Sequence, residues 1–396
     1  MHNQPANASA AIKPRLLLVT HYFPAHRGGV EIVAGELAGR LTTRFALRWL
    51  AADCDPPPSI PGAAAAGQAA WNGMERFGLP WPIWSWRGWR TLYQAVVETD
   101  IVHLHDFIYP ANIAAFCLAR LRRKPVVITQ HIGDIDYRNP VLKAVLKIVN
   151  RSLGRLILGR AHQVIFISPR VKALFQRFTD FRSPSAYWPN GVNTQIYAPA
   201  TPTARLARRA GLGVSAGQPV VLFVGRFVEK KGLPFVRQLA SLRPDWHWWF
   251  AGWGPAGPDN PESWQLPQVR VWKGLQGASL AELYQAADVL ILPSYGEGFP
   301  LVVQESLACG TPSIISAETA AGAPAFPRAI RAVPYSPATS EPAEWLAALE
   351  LLLSATDMAE IRQDAADFAA REWDWNQLAG KYTDLFKRLH AQSENR

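Results

Sequence analysis

The sequence predicts an α/β protein made of two doubly wound, Rossmann-like domains that face each other across a cleft. Three observations predict it. Short apolar runs alternate with helix-like stretches along all 396 residues, the pattern of parallel sheets with helical crossovers. That length exceeds the roughly 250–300 residues at which single cores stop growing. The alternation also restarts after Trp188-Pro189-Asn190-Gly191-Val192-Asn193, Pro199 and Pro202, a turn-rich stretch suited to an interdomain link.

In the first domain, residues 1–198, the candidate strands are Leu16–Thr20, Phe45–Leu50, Ile101–His105, Val126–Thr129 and Val164–Ser168. Each is an apolar run of strand length. A helix begins at Val30 after Gly28-Gly29, and the Ala-, Pro- and Gly-rich residues 55–73 read as a loop. The second domain, residues 199–374, offers Val220–Gly225, Trp248–Gly252, Val269–Lys273, Val289–Pro293 and Ser313–Ser316. Ser279-Leu280-Ala281-Glu282 has the form of a capping box, which starts a helix near Leu280. The final segment, 375–396, is helical from Trp375 through Phe386 to Leu389.

Composition narrows the function classes. No apolar run approaches the roughly 18 residues of a membrane span, and Met1-His2-Asn3-Gln4-Pro5 lacks the pattern of a signal peptide. Cys54, Cys117 and Cys309 are widely spaced, without a CxxC or metal-ligand pattern. A reduced, cytoplasmic protein is the simplest reading. The net charge of +10 is unevenly placed: residues 1–198 carry 23 Lys+Arg against 11 Asp+Glu, while the remainder is slightly acidic. Such asymmetry points the first half at something anionic. Nucleic acid is not expected, because no RNP, KH, zinc-finger or helix-turn-helix signature appears.

Ligands of doubly wound sheets lie outside the carboxyl ends of the strands, and four segments place chemistry there. The first is His21–Glu31, in which Gly28 and Gly29 allow close backbone approach; an ordinary glycine turn fits as well. This segment is not GxGxxG, so a dinucleotide cofactor has little support. In the second, His131 ends the run Val126–Gln130, where an imidazole would point into the cleft. The third, Gly225-Arg226 through Lys231-Gly232, pairs a guanidinium fork with an ammonium, a combination suited to a diphosphate. In the fourth, Gly296-Glu297-Gly298-Phe299-Pro300-Leu301 leads through Val302 to Glu305, a glycine-rich turn that opens a helix. Backbone N–H groups and a helix N-terminus there suit an anion, and the carboxylates can hold hydroxyls. Alone, His131 also reads as a structural or merely exposed histidine, and the third and fourth segments as solvated surface.

Taken together with Ile101-Val102-His103-Leu104-His105 and Pro189–Asn193, these segments resemble the family 4 retaining glycosyltransferases of GT-B fold (the group 1 glycosyl transferases). The resemblance spans nearly the whole chain. It implies an acceptor domain first, a nucleotide-sugar domain second, and a C-terminal helix that crosses back onto the first. It further implies that Arg226 and Lys231 neutralise a donor diphosphate, Glu305 holds the ribose and Glu297 the transferred hexose. His131 would meet the sugar's far edge, and Gly28-Gly29 would close over the phosphates. Gly298, Phe299 and Leu301 belong to the same donor turn, the last two through their backbone N–H groups. Asn193 departs from the Asp that the family often carries there. No metal is expected, since the two cations supply the charge. The substrate would be a UDP-, GDP- or ADP-sugar, with front-face transfer to a glycan or lipid-linked acceptor in cell-envelope or exopolysaccharide assembly. A nucleotide-sugar epimerase of the same fold and a non-catalytic glycan-binding partner stay as alternatives.

Two further stretches suit an anionic membrane surface. Trp81, Trp84, Trp86 and Trp89 interleave with Arg87 and Arg90. Leu142, Leu146, Val149, Leu153 and Leu156 form a helical stripe beside Lys143, Lys147, Arg151 and Arg155. The same stripe could instead pack on the core.

Overall fold

Two parallel sheets divide the chain in the computed structural model, which describes residues 13–394 apart from Arg27, Gly78, residues 134–139, Ala216, residues 296–298 and residues 324–327. The first half runs through β1 (Arg15–Val19), α1 (Gly29–Leu41), β2 (Ala46–Ala52), β3 (Ala63–Gln68), β4 (Ala70–Trp71), β5 (Ile83–Trp84), α2 (Trp86–Glu98), β6 (Ile101–His105), α3 (Pro110–Leu121), β7 (Val126–Gln130), α4 (Pro140–Val149), α5 (Arg155–Arg160), β8 (Gln163–Phe166), α6 (Pro169–Gln176) and β9 (Ala186–Tyr187). Seven of these strands form a sheet in the order β3-β2-β1-β6-β7-β8-β9, and β4 pairs with β5 alone. The second half continues with α7 (Pro202–Gly211), β10 (Val220–Arg226), α8 (Leu233–Leu242), β11 (His247–Trp253), β12 (Val269–Trp272), α9 (Ala278–Ala286), β13 (Val289–Leu292), α10 (Leu301–Ala308), β14 (Ser313–Ser316), α11 (Ala317–Ala320), β15 (Ile330–Val333), α12 (Pro342–Leu353), α13 (Met358–Trp373) and α14 (Trp375–Glu394). Its sheet has the order β12-β11-β10-β13-β14-β15. Both sheets reverse direction of growth once, at β1/β6 and at β10/β13. Those switch points are where doubly wound sheets leave a crevice.

The strands are apolar on both faces because helices cover both. Val220–Phe223 and Val289–Leu292 are at most 1% exposed. The last helix belongs to the first sheet's core. Trp375, Leu378, Tyr382, Phe386 and Leu389 recur at helical spacing and bury with Leu16, Leu18 and Phe23. The Tyr382 hydroxyl also lies 2.9 Å from Thr129 Oγ1 at the end of β7.

The chain therefore crosses between the sheets twice, and the crossings touch. Val192 N donates to Trp373 O at 2.6 Å and Trp375 N donates to Val192 O at 3.2 Å. Gly191 is required there: a Cβ would stand 2.4 Å from the Trp375 ring. Gln304 Nε2 adds a 2.6 Å bond to Asn190 O.

Several expectations need correction. Residues 55–73 are not all loop, because Ala63–Gln68 pairs in parallel with Leu47–Ala52. Alanine is depleted in strands, so this edge strand is held by β2 rather than by propensity. No capping box starts α9: its N-cap is Gly277, with φ +56° and no side-chain bond, and Ser279 already lies inside the helix. The tryptophan stretch is largely inward. Trp84 is 2% exposed and Trp81 and Trp89 pack on the core, so among the four only Trp86 is exposed, at 68%. The leucine stripe turns inward too: Leu146 is buried, and Val149 and Leu153 pack against the core. Leu156 alone of the described stripe stays exposed, while the Leu142 side chain lies outside the described residues. The lysines and arginines run beside Leu156 and two exposed residues outside that stripe, Val145 and Ile148.

Candidate functional site

The carboxyl end of β10 builds one wall. Gly225 (φ +149°) pairs in register with Gly252 of β11, and a Cβ on Gly252 would fall 1.9 Å from Gly225 O. Only glycine fits, and the floor stays open. Arg226 follows on the exposed end of the strand. A short 3-10 turn, Glu229–Lys231, then folds back and places Lys231 Nζ 3.8 Å from where a Gly225 Cβ would be. The two predicted cations thus flank one glycine. Gly232 closes the turn at φ +73°, and a Cβ there would meet Pro293 O at 2.5 Å. Tyr295 N donates to Lys230 O at 3.1 Å, which ties the loop after β13 to the lysine turn. Gly296, Glu297 and Gly298 lie outside the described residues, so the structure gives no position for that carboxylate.

After Phe299 and Pro300 the chain enters α10. The Phe299 ring is buried, 5.4 Å from Trp373, so only its backbone is available to a ligand. Leu301 packs against the first domain's core cluster while sitting in the first turn of α10. Glu305, one turn further, accepts a 3.0 Å bond from the Tyr284 hydroxyl. Burial pushes its carboxyl up to about 7, against the opposing hydrogen bonds of Tyr284 and Tyr197.

The first sheet contributes a histidine cluster. His131 follows β7 with its Nε2 2.9 Å from His105 Nδ1, and burial lowers it to about 3. Its backbone N donates to Asp106 Oδ1 at 2.7 Å, as does Ile132 N at 3.0 Å. Asp106 adopts φ +62°, held by Asn112 Nδ2 bonded to the Asp106 and His105 carbonyls at 2.8 and 2.6 Å. Burial pushes the Asp106 carboxyl up to about 7. His21 Nε2 stands 2.8 Å from Glu31 Oε1, both buried, and its ring stacks on Tyr109 at 3.8 Å. Burial works against the Glu31 carboxylate, yet the His21 hydrogen bond and charge hold it below its ordinary range. Gly28 is the N-cap of α1, where a Cβ would meet Glu31 Oε2 at 2.1 Å. Gly29 has nothing within 4 Å, so space does not demand glycine there.

A cleft of about 540 Å³ lies between the sheets, a volume usual for a ligand of nucleotide size. Pro24, Ile32 and Glu36 line it from the first domain, Gly225, Gly252 and Glu305 from the second, and the two touching crossings from below. Of the residues singled out in the sequence, Asn193, Gly225, Leu301 and Glu305 are in its walls, and Arg226 adjoins Gly225. His131, Gly28, Gly29 and Phe299 are not among the lining residues, and Lys231 reaches only the Gly225 edge. Sequence reasoning missed Tyr197 and Tyr284, the hydrogen-bond partners of Glu305, and Asp106, the anchor of His131. Asp106 directly follows the His103-x-His105 run, the one signal that could have found it.

Among the described residues, no group of three or more His, Cys, Asp or Glu is arranged to hold a metal ion. Two Asp-x-Asp triplets do occur in the sequence. Asp53-Cys54-Asp55 follows β2, with Asp55 engaged by His26 at 2.9 Å, and Asp134-Ile135-Asp136 lies outside the described residues. No helix of the described residues is long and apolar enough to cross a membrane.

Comparison with known proteins agrees with this architecture. Residues 27–196 match Glycosyltransferase Family 4, and residues 218–355 match Glycosyl transferases group 1. A D-inositol 3-phosphate glycosyltransferase of Mycolicibacterium vanbaalenii is 34% identical over 87% of this chain and 81% of its own. The putative teichuronic acid biosynthesis glycosyltransferase TuaC of Bacillus subtilis is 27% identical over 57% of this chain and 55% of its own. The Anabaena Alr3699/HepE structure, solved with UDP and glucose, superposes with a TM-score of 0.72 at 16% identity, covering 94% of this chain and 99% of that one. Matches to both halves and a relative this similar along most of its length lead to one conclusion: the chain belongs to the family 4, group 1 glycosyltransferases and has their two-sheet GT-B fold.

Proposed function

We propose that the protein transfers a hexose from a nucleoside-diphosphate sugar to a glycan or lipid-linked acceptor, with retention at the anomeric carbon and without a metal. The observation that carries this reading is the cleft itself. Residues after β1 and at the end of β10 line it from the two sheets, its second-domain wall presents Glu305, and Arg226 and Lys231 flank the glycine at its edge. The solved neighbour named for its UDP and glucose complex supports a nucleotide sugar of this kind as donor.

Departure of the nucleoside diphosphate builds negative charge on its outer phosphate. Arg226, Lys231 and the N-terminus of α10 stabilise that charge without reorganising. Glu305 holds the ribose hydroxyls and Glu297 those of the hexose, while His131 meets the sugar's far edge. Gly28 and Gly29 close over the phosphates. The bond from the anomeric carbon to the phosphate oxygen breaks as the acceptor oxygen attacks the same face. The acceptor proton passes to the departing phosphate oxygen, so no enzymic nucleophile is needed.

The setting in this reading is cytoplasmic, at the inner face of the plasma membrane, in envelope or exopolysaccharide assembly. The named role of TuaC supports that setting. Val145, Ile148 and Leu156 are exposed among Lys143, Lys147, Arg151 and Arg155, a surface that suits an anionic bilayer.

Nucleoside diphosphate release from the accepted donor is the test. Arg226→Ala and Lys231→Ala should each slow it by about 10²-fold or more, the scale of a lost electrostatic stabiliser. Near-normal rates in both variants would remove the two cations from the site.

A further inference from the structure

A second network lies beside the cleft, built from residues other than those assigned above to the donor. The Tyr22 hydroxyl donates to Asn72 Oδ1 at 2.7 Å, and Asn72 Nδ2 donates to Glu75 Oε2. Glu75 Oε1 stands 3.4 Å from His26 Nε2, and Asp55 Oδ2 stands 2.9 Å from His26 Nδ1. The Tyr22 ring stacks on His26 at 4.0 Å. These residues come from the loops after β1, β2 and β4, at the carboxyl side of the first sheet. The network borders the cleft directly, since Pro24 and Ile60 of the same loops line it.

An aromatic surface adjoins the polar one. Trp71, next to Asn72, folds over Gly73, where a Cβ would meet its ring at 2.2 Å. The rest of that indole is open, 58% exposed. Ile83 lies opposite it in the β4–β5 pair and is 45% exposed. With neither side chain buried in the core, Trp71 and Ile83 leave an apolar platform in water.

We propose that Trp71, Asn72 and Glu75, with His26 and Asp55, form the acceptor subsite and that it takes a neutral sugar unit. This rests on the glycosyltransferase reading and adds the chemical class of the acceptor. A pyranose offers a C–H face and a ring of hydroxyls that both donate and accept. Trp71 matches the first; the amide and the two carboxylates match the second. A phosphate would meet the carboxylates of Glu75 and Asp55, so like charges oppose it. In this respect the chain differs from what the name of its mycobacterial relative implies for that protein's acceptor. The same carboxylates oppose an anionic lipid surface at this patch.

Saturation-transfer NMR on the full chain with UDP present tests the subsite. The probes are neutral methyl disaccharides of glucose, galactose and mannose, myo-inositol 3-phosphate, and phosphatidylglycerol vesicles. At least one neutral disaccharide should show transfer, myo-inositol 3-phosphate none. Glu75→Gln should weaken the disaccharide about tenfold, on the scale of a hydrogen bond to a charged group, and Trp71→Ala by a similar factor through its lost packing face, with UDP affinity unchanged. Binding of the inositol phosphate alone, no signal from any disaccharide, wild-type affinity in both variants, or loss of vesicle binding in Trp71→Ala would each overturn the proposal. UDP binding is read in the same samples. Its failure beside a disaccharide signal would sink the donor reading and leave the subsite standing.

Discussion

Glu305 is a carboxylate whose environment sets when it can work. Its ordinary value of 4.5 is pushed up to about 7 by burial. The native state therefore keeps a proton between those values that the unfolded chain has released. This group's share of stability is present below the unfolded value and is lost as the pH rises through that window. Binding runs the other way. A protonated Glu305 can no longer accept from two ribose hydroxyls, so donor affinity should fall by about tenfold between pH 8 and pH 6. Calorimetric titration of the accepted nucleotide checks this, and Glu305→Gln should flatten the slope while weakening binding at pH 8. Gly232 makes a separate point about backbone. Its φ of +73° and the Pro293 carbonyl at 2.5 Å leave no room for a Cβ. Gly232→Ala should cost about 1–3 kcal/mol, seen as a lower urea midpoint, and should move Lys231 away from Gly225.

At the scale of elements, α14 decides whether the halves act as one molecule. It starts at the touching crossings and buries Phe386, Tyr382 and Trp375 in the first sheet's core. Phe386→Ala should destabilise the protein by about 3–5 kcal/mol, and Tyr382→Phe by about 1 kcal/mol through its bond to Thr129. Thermal unfolding of both variants checks the ratio. The helix was legible in the sequence because its apolar residues keep one face over about four turns. So were the long apolar strands, such as Val220–Arg226 and Ile101–His105, whose ends the sequence placed within a residue or so. What escaped was held by neighbours instead of by its own pattern. β3 is mostly alanine and exists because β2 offers it a ladder. β9 and β15 are short edge strands whose runs carry too few apolar residues to stand out. The Trp81–Arg90 and Leu142–Leu156 stretches misled for the opposite reason: an apolar stripe does not say which side it faces, and here most of it faces the core.

The site was legible where chemistry and backbone coincide. Gly225 and Gly232 are set by positive φ angles, and at Gly232 a Cβ would also meet the Pro293 carbonyl, so the motif and the geometry are one constraint. Glu305 could be named, but not its tyrosine partners, because Tyr197 and Tyr284 reach it from 108 and 21 positions away. Asp106 was hidden for a similar reason, since it acts on His131 across two strands.

For the whole molecule, the central claim is that a nucleoside-diphosphate sugar binds between the two sheets. The first half carries the excess of positive charge, and the second places Arg226 and Lys231 beside Gly225, which lines the cleft. A ligand seated there contacts both halves and should stabilise them together. Thermal unfolding of the protein against UDP-, GDP- and ADP-sugars tests that most directly. A donor at about 100 times its Kd should add about 2.7 kcal/mol, and one nucleotide should stand apart from the other two. That shift should vanish in Arg226→Ala. The absence of a shift with every donor, or an equal shift in wild type and Arg226→Ala, would contradict the account.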